Sequence, residues 1–321
     1  MTTRSSVLDA LRLAGTAGLS GEALAVSLGV SRVAVGKHVA ALREAGYEIA
    51  AVPGSGYSLL AAPDLPLPAE IAPLLESALW AELTGGGETG STNDDARALA
   101  RSGAPEGTVV LASRQLAGRG RLGRTWTSPS GGVYLSAVLR PQVAPTGVSS
   151  LALAVALGVA LGLERLGVQA RLKWPNDVLL GDKKLAGVLL EMSAEADSVD
   201  WVVAGVGLNM RRPSAGEEAP AGVAYVDDAA PEVRLAKAAA AELDGIAEAY
   251  SSWRVGGFAA LRSAYEARFA LAGADVCVTD LLGTVRASGT AQGVDDEGRL
   301  LVRGPDGAVS PVVAGEVTLR R

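Results

Sequence analysis

The run Gly118-Arg119-Gly120-Arg121-Leu122-Gly123-Arg124-Thr125-Trp126 concentrates more chemical capability than any other stretch of the chain. Arginine presents a planar fork of donors that fits carboxylates and phosphates two bonds at a time. Glycine lets a backbone approach a ligand closely. Tryptophan offers a flat face on which a ring can stack. A loop of this kind suits a site that holds a carboxylate, a nucleotide phosphate and an aromatic base together. The plain alternative, a basic surface loop, explains one Gly-Arg pair but not this density.

Two nucleotide motifs are excluded by context. Gly118, Gly120 and Gly123 match G-x-G-x-x-G, which must open a helix after a strand to bind a dinucleotide. Here a strand can precede (107–113), but Ser128-Pro129-Ser130-Gly131-Gly132 breaks any helix, and 133–139 reads as a strand. No Lys-Ser or Lys-Thr pair follows the glycines, so a phosphate-binding P-loop fails too. His38 is the only histidine, and no CxxC occurs. A Ser-His-Asp triad or an HExxH zinc site would have to use His38, and neither pattern surrounds it. Chemistry must run on Lys, Arg, carboxylates and backbone groups.

Four further stretches carry possible function. In Lys173-Trp174-Pro175-Asn176-Asp177, a lysine at a strand end can neutralise the repulsion between a phosphate and a carboxylate; the alternative is an Asn-Asp turn. In Lys183-Lys184-Leu185-Ala186-Gly187, a glycine in a buried strand points to close backbone approach, although alone this reads as a hairpin entering an apolar strand. Gly205-Val206-Gly207-Leu208-Asn209 repeats the pattern and ends on a polar residue. Ser91-Thr92-Asn93 opens a helix, either as a cap or as small hydrogen-bonding groups at a helix N-terminus.

The elements that must position these residues follow from the rest of the chain. Its 321 residues predict two or three domains, and 49% apolar content allows a substantial core. The single Cys277 precludes an internal disulfide and fits a reducing cytoplasm, as does an N-terminus without an apolar signal core. The apolar run 151–163 is too short to span a bilayer and reads as a buried helix, so no membrane role is expected. A net charge of −6 argues against a general nucleic-acid coat while leaving room for one local basic face.

Residues 1–62 read as helix, helix, turn, helix and β-hairpin, the order of a winged helix-turn-helix. Ser20 and Ser31 are the expected N-caps, and the wing is placed around Pro53-Gly54-Ser55-Gly56. Ser31, Arg32, Lys37 and His38 on the third helix are the candidate DNA contacts. Five cations against four acids through Ala61 give little counterion-release affinity, so a structural module stays open and dimeric binding to two half-sites gains importance. A proline-rich linker starts at Ala62. Residues 63–270 alternate strand-like and helix-like segments, predicting an α+β domain with a mixed sheet. Its helices are expected at 69–78, 92–102, 149–166, 233–253 and 257–268, and its strands at 107–113, 133–139, 170–174, 184–192 and 201–208. Residues 271–321 read as a small SH3-like β-barrel.

Taken in order, STN at 91–93, Q-x-A-G-R-G-R-x-G-R-x-W at 115–126, KWPND at 173–177, KLAG at 184–187 and GVGLN at 205–209 resemble the biotin–protein ligases of the bifunctional type that also repress a biotin operon. The resemblance covers nearly the whole chain, including the winged helix and the small β domain. It implies activation of biotin by ATP to biotinyl-5′-AMP, then transfer to a lysine of a biotin carboxyl carrier protein. It further implies that Ser91, Thr92, Asn93 and Gln115 read the biotin head. Gly118, Arg119, Gly120 and Arg121 would fold over the ligand, with Arg119 and Arg121 near its carboxyl and phosphate groups. Lys173 would bridge carboxylate and α-phosphate, Gly187 would offer backbone contact, Trp126 would cover adenine, and Asn176 and Asn209 would lie near the nucleotide. Mg²⁺ is implied on the phosphates, with Asp177 a candidate ligand. Operator DNA and an adenylate-induced homodimer are the implied regulatory partners. A lipoate-type ligase, a ligand-sensing regulator without turnover, and a ligase whose N-terminal domain is purely structural are the competing readings.

Overall fold

The computed structural model describes residues 4–52, 56–214, 217, 219, 221–280 and 282–319. The chain divides into two compact units, Met1–Asp64 and Leu65–Arg321.

In the first unit, helices α1 (Arg4–Ala14), α2 (Gly21–Leu28) and α3 (Arg32–Glu44) precede an antiparallel hairpin of β1 (Glu48–Val52) and β2 (Gly56–Ala61). Both expected caps form. Ser20 accepts from the Ala23 amide and Ser31 from the Ala34 amide, satisfying donors that a helix start leaves orphaned. Val7, Leu8, Leu11, Leu24, Val35, Val39 and Leu42 bury the facing stripes. The tip of the expected wing, Pro53 to Ser55, lies outside the described residues.

In the second unit a seven-stranded sheet runs in the order β3 (Glu82–Gly85), β4 (Thr108–Ala112), β5 (Val133–Leu139), β9 (Val199–Leu208), β8 (Lys183–Ala194), β7 (Asp177–Leu180) and β6 (Arg171–Lys173). β3 pairs parallel with β4, and the other ladders are antiparallel, so the sheet is mixed as expected. Strand alternation divides the side chains between two faces. Val109, Leu111, Val202 and Ala204 join the main core with helices α5 (Leu151–Glu164) and α6 (Leu235–Gly256). Val110, Val138, Trp201 and Val203 face the opposite way, against Ala96 and Ala100 of α4 (Thr92–Arg101).

The residues 145–164 are long and apolar enough for a membrane span, yet α5 is a core helix. Its glycines form a packing seam: a Cβ at Gly162 would stand 2.1 Å from the Ala241 carbonyl oxygen of α6. The C-terminal strands β10 (Asp275–Thr279), β11 (Val285–Val294), β12 (Leu300–Arg303), β13 (Val309–Val312) and β14 (Glu316–Leu319) form a five-stranded antiparallel sheet in the order β13-β12-β11-β10-β14. Val276, Val278, Ala291 and Leu300 share the main core, and the Trp174 indole donates to the Gly298 carbonyl at 3.0 Å.

Three expectations are corrected. The helix at 69–78 stops after Pro68–Ile71 and a 3-10 turn, Ala72–Leu74, because Pro73 lacks an amide hydrogen and clashes with a preceding carbonyl. The helix expected over 149–166 begins as a 3-10 segment, Pro145–Ser150, before α5. The helix at 257–268 divides into Phe258–Ala260 and Arg262–Glu266. The short strands β3 and β7 carry too little alternation to be read in advance.

Candidate active site

The site lies on the α4 face of the sheet, where large side chains give way to glycine. Along β9 the residues on this face are Trp201, Val203, Gly205 and Gly207. The first two pack on α4, and the glycines leave a hollow. A Cβ at Gly205 would fall 1.9 Å from Asn93 Oδ1, and one at Gly207 would fall 2.3 Å from Trp126 Nε1. Gly187 of β8 is directly across from Gly207, and its Cβ would stand 3.0 Å from the same indole. The Trp126 ring therefore rests on two facing glycines, its Nε1 buried and without a hydrogen-bond partner among the described residues.

One end of the hollow carries neutral hydrogen-bonding groups. Ser91 stands at the N-cap position of α4 but its side chain makes no cap bond, which removes the cap reading. The Thr92 amide and hydroxyl both donate to Gln115 Oε1, at 2.8 and 3.1 Å. Gln115 Nε2 in turn donates to Ser128 Oγ at 2.9 Å. Ser136 Oγ lies 2.8 Å from Thr92 Oγ1 and 2.6 Å from Asn93 Oδ1.

The other end is cationic. Lys173 ends β6, followed by the cis Trp174-Pro175 bond and Asn176, which is tied to β8 through Nδ2 to the Val188 carbonyl at 2.7 Å. The Arg121 guanidinium donates to Asn176 Oδ1 at 3.1 Å, and burial pulls its pKa below the usual arginine range. Lys184 pairs with Asp177 at 2.6 Å and lies 5.0 Å from the Trp126 ring centroid, a cation–π contact. The Lys173 ammonium and the Arg121 guanidinium have no carboxylate partner among the described residues.

The Gly-rich loop closes over this hollow. It contains a 3-10 turn, Arg121–Gly123, with Leu122 in the left-handed region at φ 61°, and no helix follows it. The Trp126 amide donates to the Gly118 carbonyl at 2.9 Å, and the Gly120 amide to the Arg124 carbonyl at 2.7 Å. Arg119 pairs with Asp94 and with Glu191, the latter at 2.9 Å, while Arg124 pairs with Glu316 of β14. The Arg119 hydrogen bond holds the Asp94 carboxyl below the usual carboxylate range, and the same bond raises the arginine.

Of the residues singled out in the sequence, Ser91, Thr92, Asn93, Gln115, Arg119, Gly120, Arg121, Trp126, Lys173, Asn176 and Gly187 line one cavity. Gly118 lies beneath the loop, where a Cβ would stand 2.4 Å from the Trp126 carbonyl oxygen. Asn209 follows β9, its amide donating to the Leu185 carbonyl at 3.0 Å, and it is not in the lining. Both Asn93 polar atoms and both Arg119 Nη atoms are engaged within the protein. Sequence reasoning gave no role to Lys184, Asp94, Glu191 or Glu316. Lys184 lies inside a quoted motif and was within reach; the others need the strand register. In the first unit Ser31 is spent on its cap, Arg32 and Lys37 are exposed, and His38 is half-buried.

Comparison with known proteins places these features in context. Residues 88–209 match the biotin/lipoate A/B protein ligase family, residues 3–58 an HTH domain, and residues 276–320 the biotin protein ligase C-terminal domain. The chain is 34% identical to the bifunctional ligase/repressor BirA of Bacillus subtilis, over 99% of each chain. It is 40% identical to a biotin–[acetyl-CoA-carboxylase] ligase of Paracoccus denitrificans, over 68% of this chain and 93% of that one. A biotin protein ligase from Aquifex aeolicus, solved in complex with biotin and ATP, superposes with a TM-score of 0.64 at 28% identity, covering 75% of this chain and 99% of the other.

Proposed function

This chain belongs to the family of bifunctional biotin ligase/repressors, and from that membership we propose that the hollow beneath its Gly-rich loop is where biotin is joined to ATP. The protein is a biotin–protein ligase carrying a helix-turn-helix repressor domain. The observation that carries the site assignment is the polarity of the cavity: neutral donors and acceptors gather at one end, and at the other two cations without carboxylate partners among the described residues.

A biotin carboxylate oxygen attacks the α-phosphorus of ATP; the new P–O bond forms as the bond to pyrophosphate breaks. A carrier lysine amine then attacks the acyl carbon of the mixed anhydride, AMP leaves with the bonding electrons, and the amine gives up a proton to solvent. Neither step needs a covalent enzyme intermediate, so rate comes from positioning and charge stabilisation. Ser91, Thr92 and Gln115 hold the ureido head. Lys173 and Arg121 neutralise the carboxylate and α-phosphate as they meet, and Lys184, kept in place by Asp177, adds a third cation. Trp126 covers the adenine once it leaves its seat on Gly187 and Gly207. Asn93 and Arg119 shape the site rather than touch the reacting atoms, and Gly118 and Asn209 support it from outside the lining. Mg²⁺ would neutralise the polyphosphate; the two carboxylates in the lining, Asp177 and Glu316, are already paired with Lys184 and Arg124, so the ion would rest mainly on phosphate and water.

The carrier domain, operator DNA read by the α3 helix, an adenylate-induced homodimer and a cytoplasmic location complete the reading. Biotin-dependent ATP–pyrophosphate exchange tests its core, with lipoate and octanoate as controls, followed by label transfer to a biotin carrier domain. Exchange with biotin alone supports it, and no exchange with any acid overturns it.

A further inference from the structure

Helix α3 turns Val35, Val39 and Leu42 into the core of the first unit. Val33 lies about 200° round the helix axis from Val35, and so on the opposite side. It is 70% exposed. Gly36 and Lys37 come one turn further along that outward face, and the exposed Ala40 one turn beyond them. Arg32 leans away from the face. Its side chain lies over Gly21 of α2, where a Cβ would stand 3.5 Å from both Arg32 Nε and Tyr57 Cε2.

Two residues of this face work against the helix that carries them. Valine, which is β-branched, and glycine both form helix less readily than alanine. The fold gains nothing from either. Val33 contributes little to the core, and Gly36 has neither a positive φ nor a crowded setting, since a Cβ there would meet nothing within 4 Å. An apolar side chain beside bare helix backbone suits a surface that comes close to the helix. In a helix-turn-helix the N-terminal residues of the recognition helix point at base edges in the major groove. Lys37 and Arg32 flank Val33, and α3 carries no acid before Glu44, so the face complements a polyanion. The apolar group that base pairs present in that groove is the thymine C5 methyl.

We infer that Val33 is a specificity-determining residue of the repressor domain: it packs against a thymine C5 methyl in each operator half-site, and Gly36 leaves room for the base edges to approach. This rests on the reading that the first unit binds operator DNA. The test begins by selecting duplexes from a random pool with the full-length protein, biotin and ATP. Each thymine of the selected site is then replaced singly by deoxyuridine, which removes only the C5 methyl. At one position per half-site, wild-type binding should fall about fourfold, the scale of one buried methyl-sized group. Val33→Ala should bind the thymine duplex about as weakly as the wild type binds the uracil duplex. It should lose its response at that position, keep its responses elsewhere, and show no fall in thermal midpoint. Gly36→Ala should raise the thermal midpoint yet weaken binding about tenfold, the scale of one methyl added to a tight contact. Uracil sensitivity retained by Val33→Ala, a selected site with no sensitive thymine, or wild-type binding by Gly36→Ala each overturns the assignment while operator binding stands. A pool from which no duplex is enriched overturns the operator reading, and the assignment with it.

Discussion

At the scale of single residues, the cavity separates groups that face a ligand from groups that hold other groups in place. Lys173 and Arg121 have no carboxylate partner among the described residues, so their charge is available to a reacting anion. Lys173→Ala and Arg121→Ala should each lower the rate of biotinyl-adenylate formation by about 100-fold or more, typical of lost transition-state charge stabilisation. Their urea midpoints should stay near wild type; equal loss of stability and activity would refute the roles given to them. Gly205 makes the opposite prediction. Its Cβ would land 1.9 Å from Asn93 Oδ1, so Gly205→Ala forces Asn93 aside. Overpacking of this kind costs about 1–3 kcal/mol, and both denaturation and calorimetric biotin titration should register it. The arginine loop, KWPND and the glycine pairs were legible in the sequence because residue type alone announces them. Lys184, Asp94 and Glu191 were not, because their value depends on what the register of β8 and β9 sets beside them.

At the scale of elements, helix α6 holds a test of the core. Glu242 is fully buried and neither carboxylate oxygen has a partner among the described residues. Burial pushes its pKa from an ordinary 4.5 up to about 8. Between these values the folded chain keeps a proton that the unfolded chain has released. Stability is therefore fully supported below pH 4.5, falls as pH rises towards 8, and levels off above it. The expected loss across that window is on the order of 5 kcal/mol. Glu242→Gln should abolish that component, so the difference between variant and wild-type stability should grow in favour of the variant from pH 5 to pH 8. Parallel curves in the two proteins would mean that the carboxyl finds a partner. The helices and most strands were legible from periodicity and caps. What periodicity missed was set by local chemistry, as where Pro73 cut a helix short, or by brevity, as in β3 and β7.

At the scale of the whole molecule, the regulatory reading rests on the first unit. Its charge balance is weak, so each cation on α3 carries weight. Lys37 is exposed there. If it contacts a phosphate, Lys37→Ala should weaken operator binding evenly across sequences and reduce the salt-dependence slope by about one. Sedimentation with biotinyl-5′-AMP should show a dimer under conditions where the ligand-free protein is monomeric, and an unchanged distribution would remove the proposed link between adenylate and operator. The unit boundary was legible from its prolines. That the C-terminal strands share the main core, and lend Glu316 to the loop, was not, because their own sequence shows only short β segments with glycine turns.

The placement of the tryptophans has a practical consequence. Trp80, Trp174, Trp201 and Trp253 are all buried, and Trp126 is the only one of the five that is not fully enclosed. It also sits beneath the Lys184 ammonium. One source of the protein's near-ultraviolet emission therefore rides on the loop, while the other four are buried, Trp174 among them in the cavity lining. Stopped-flow fluorescence of the unlabelled protein should report loop movement directly, with Trp126→Phe as the silent control.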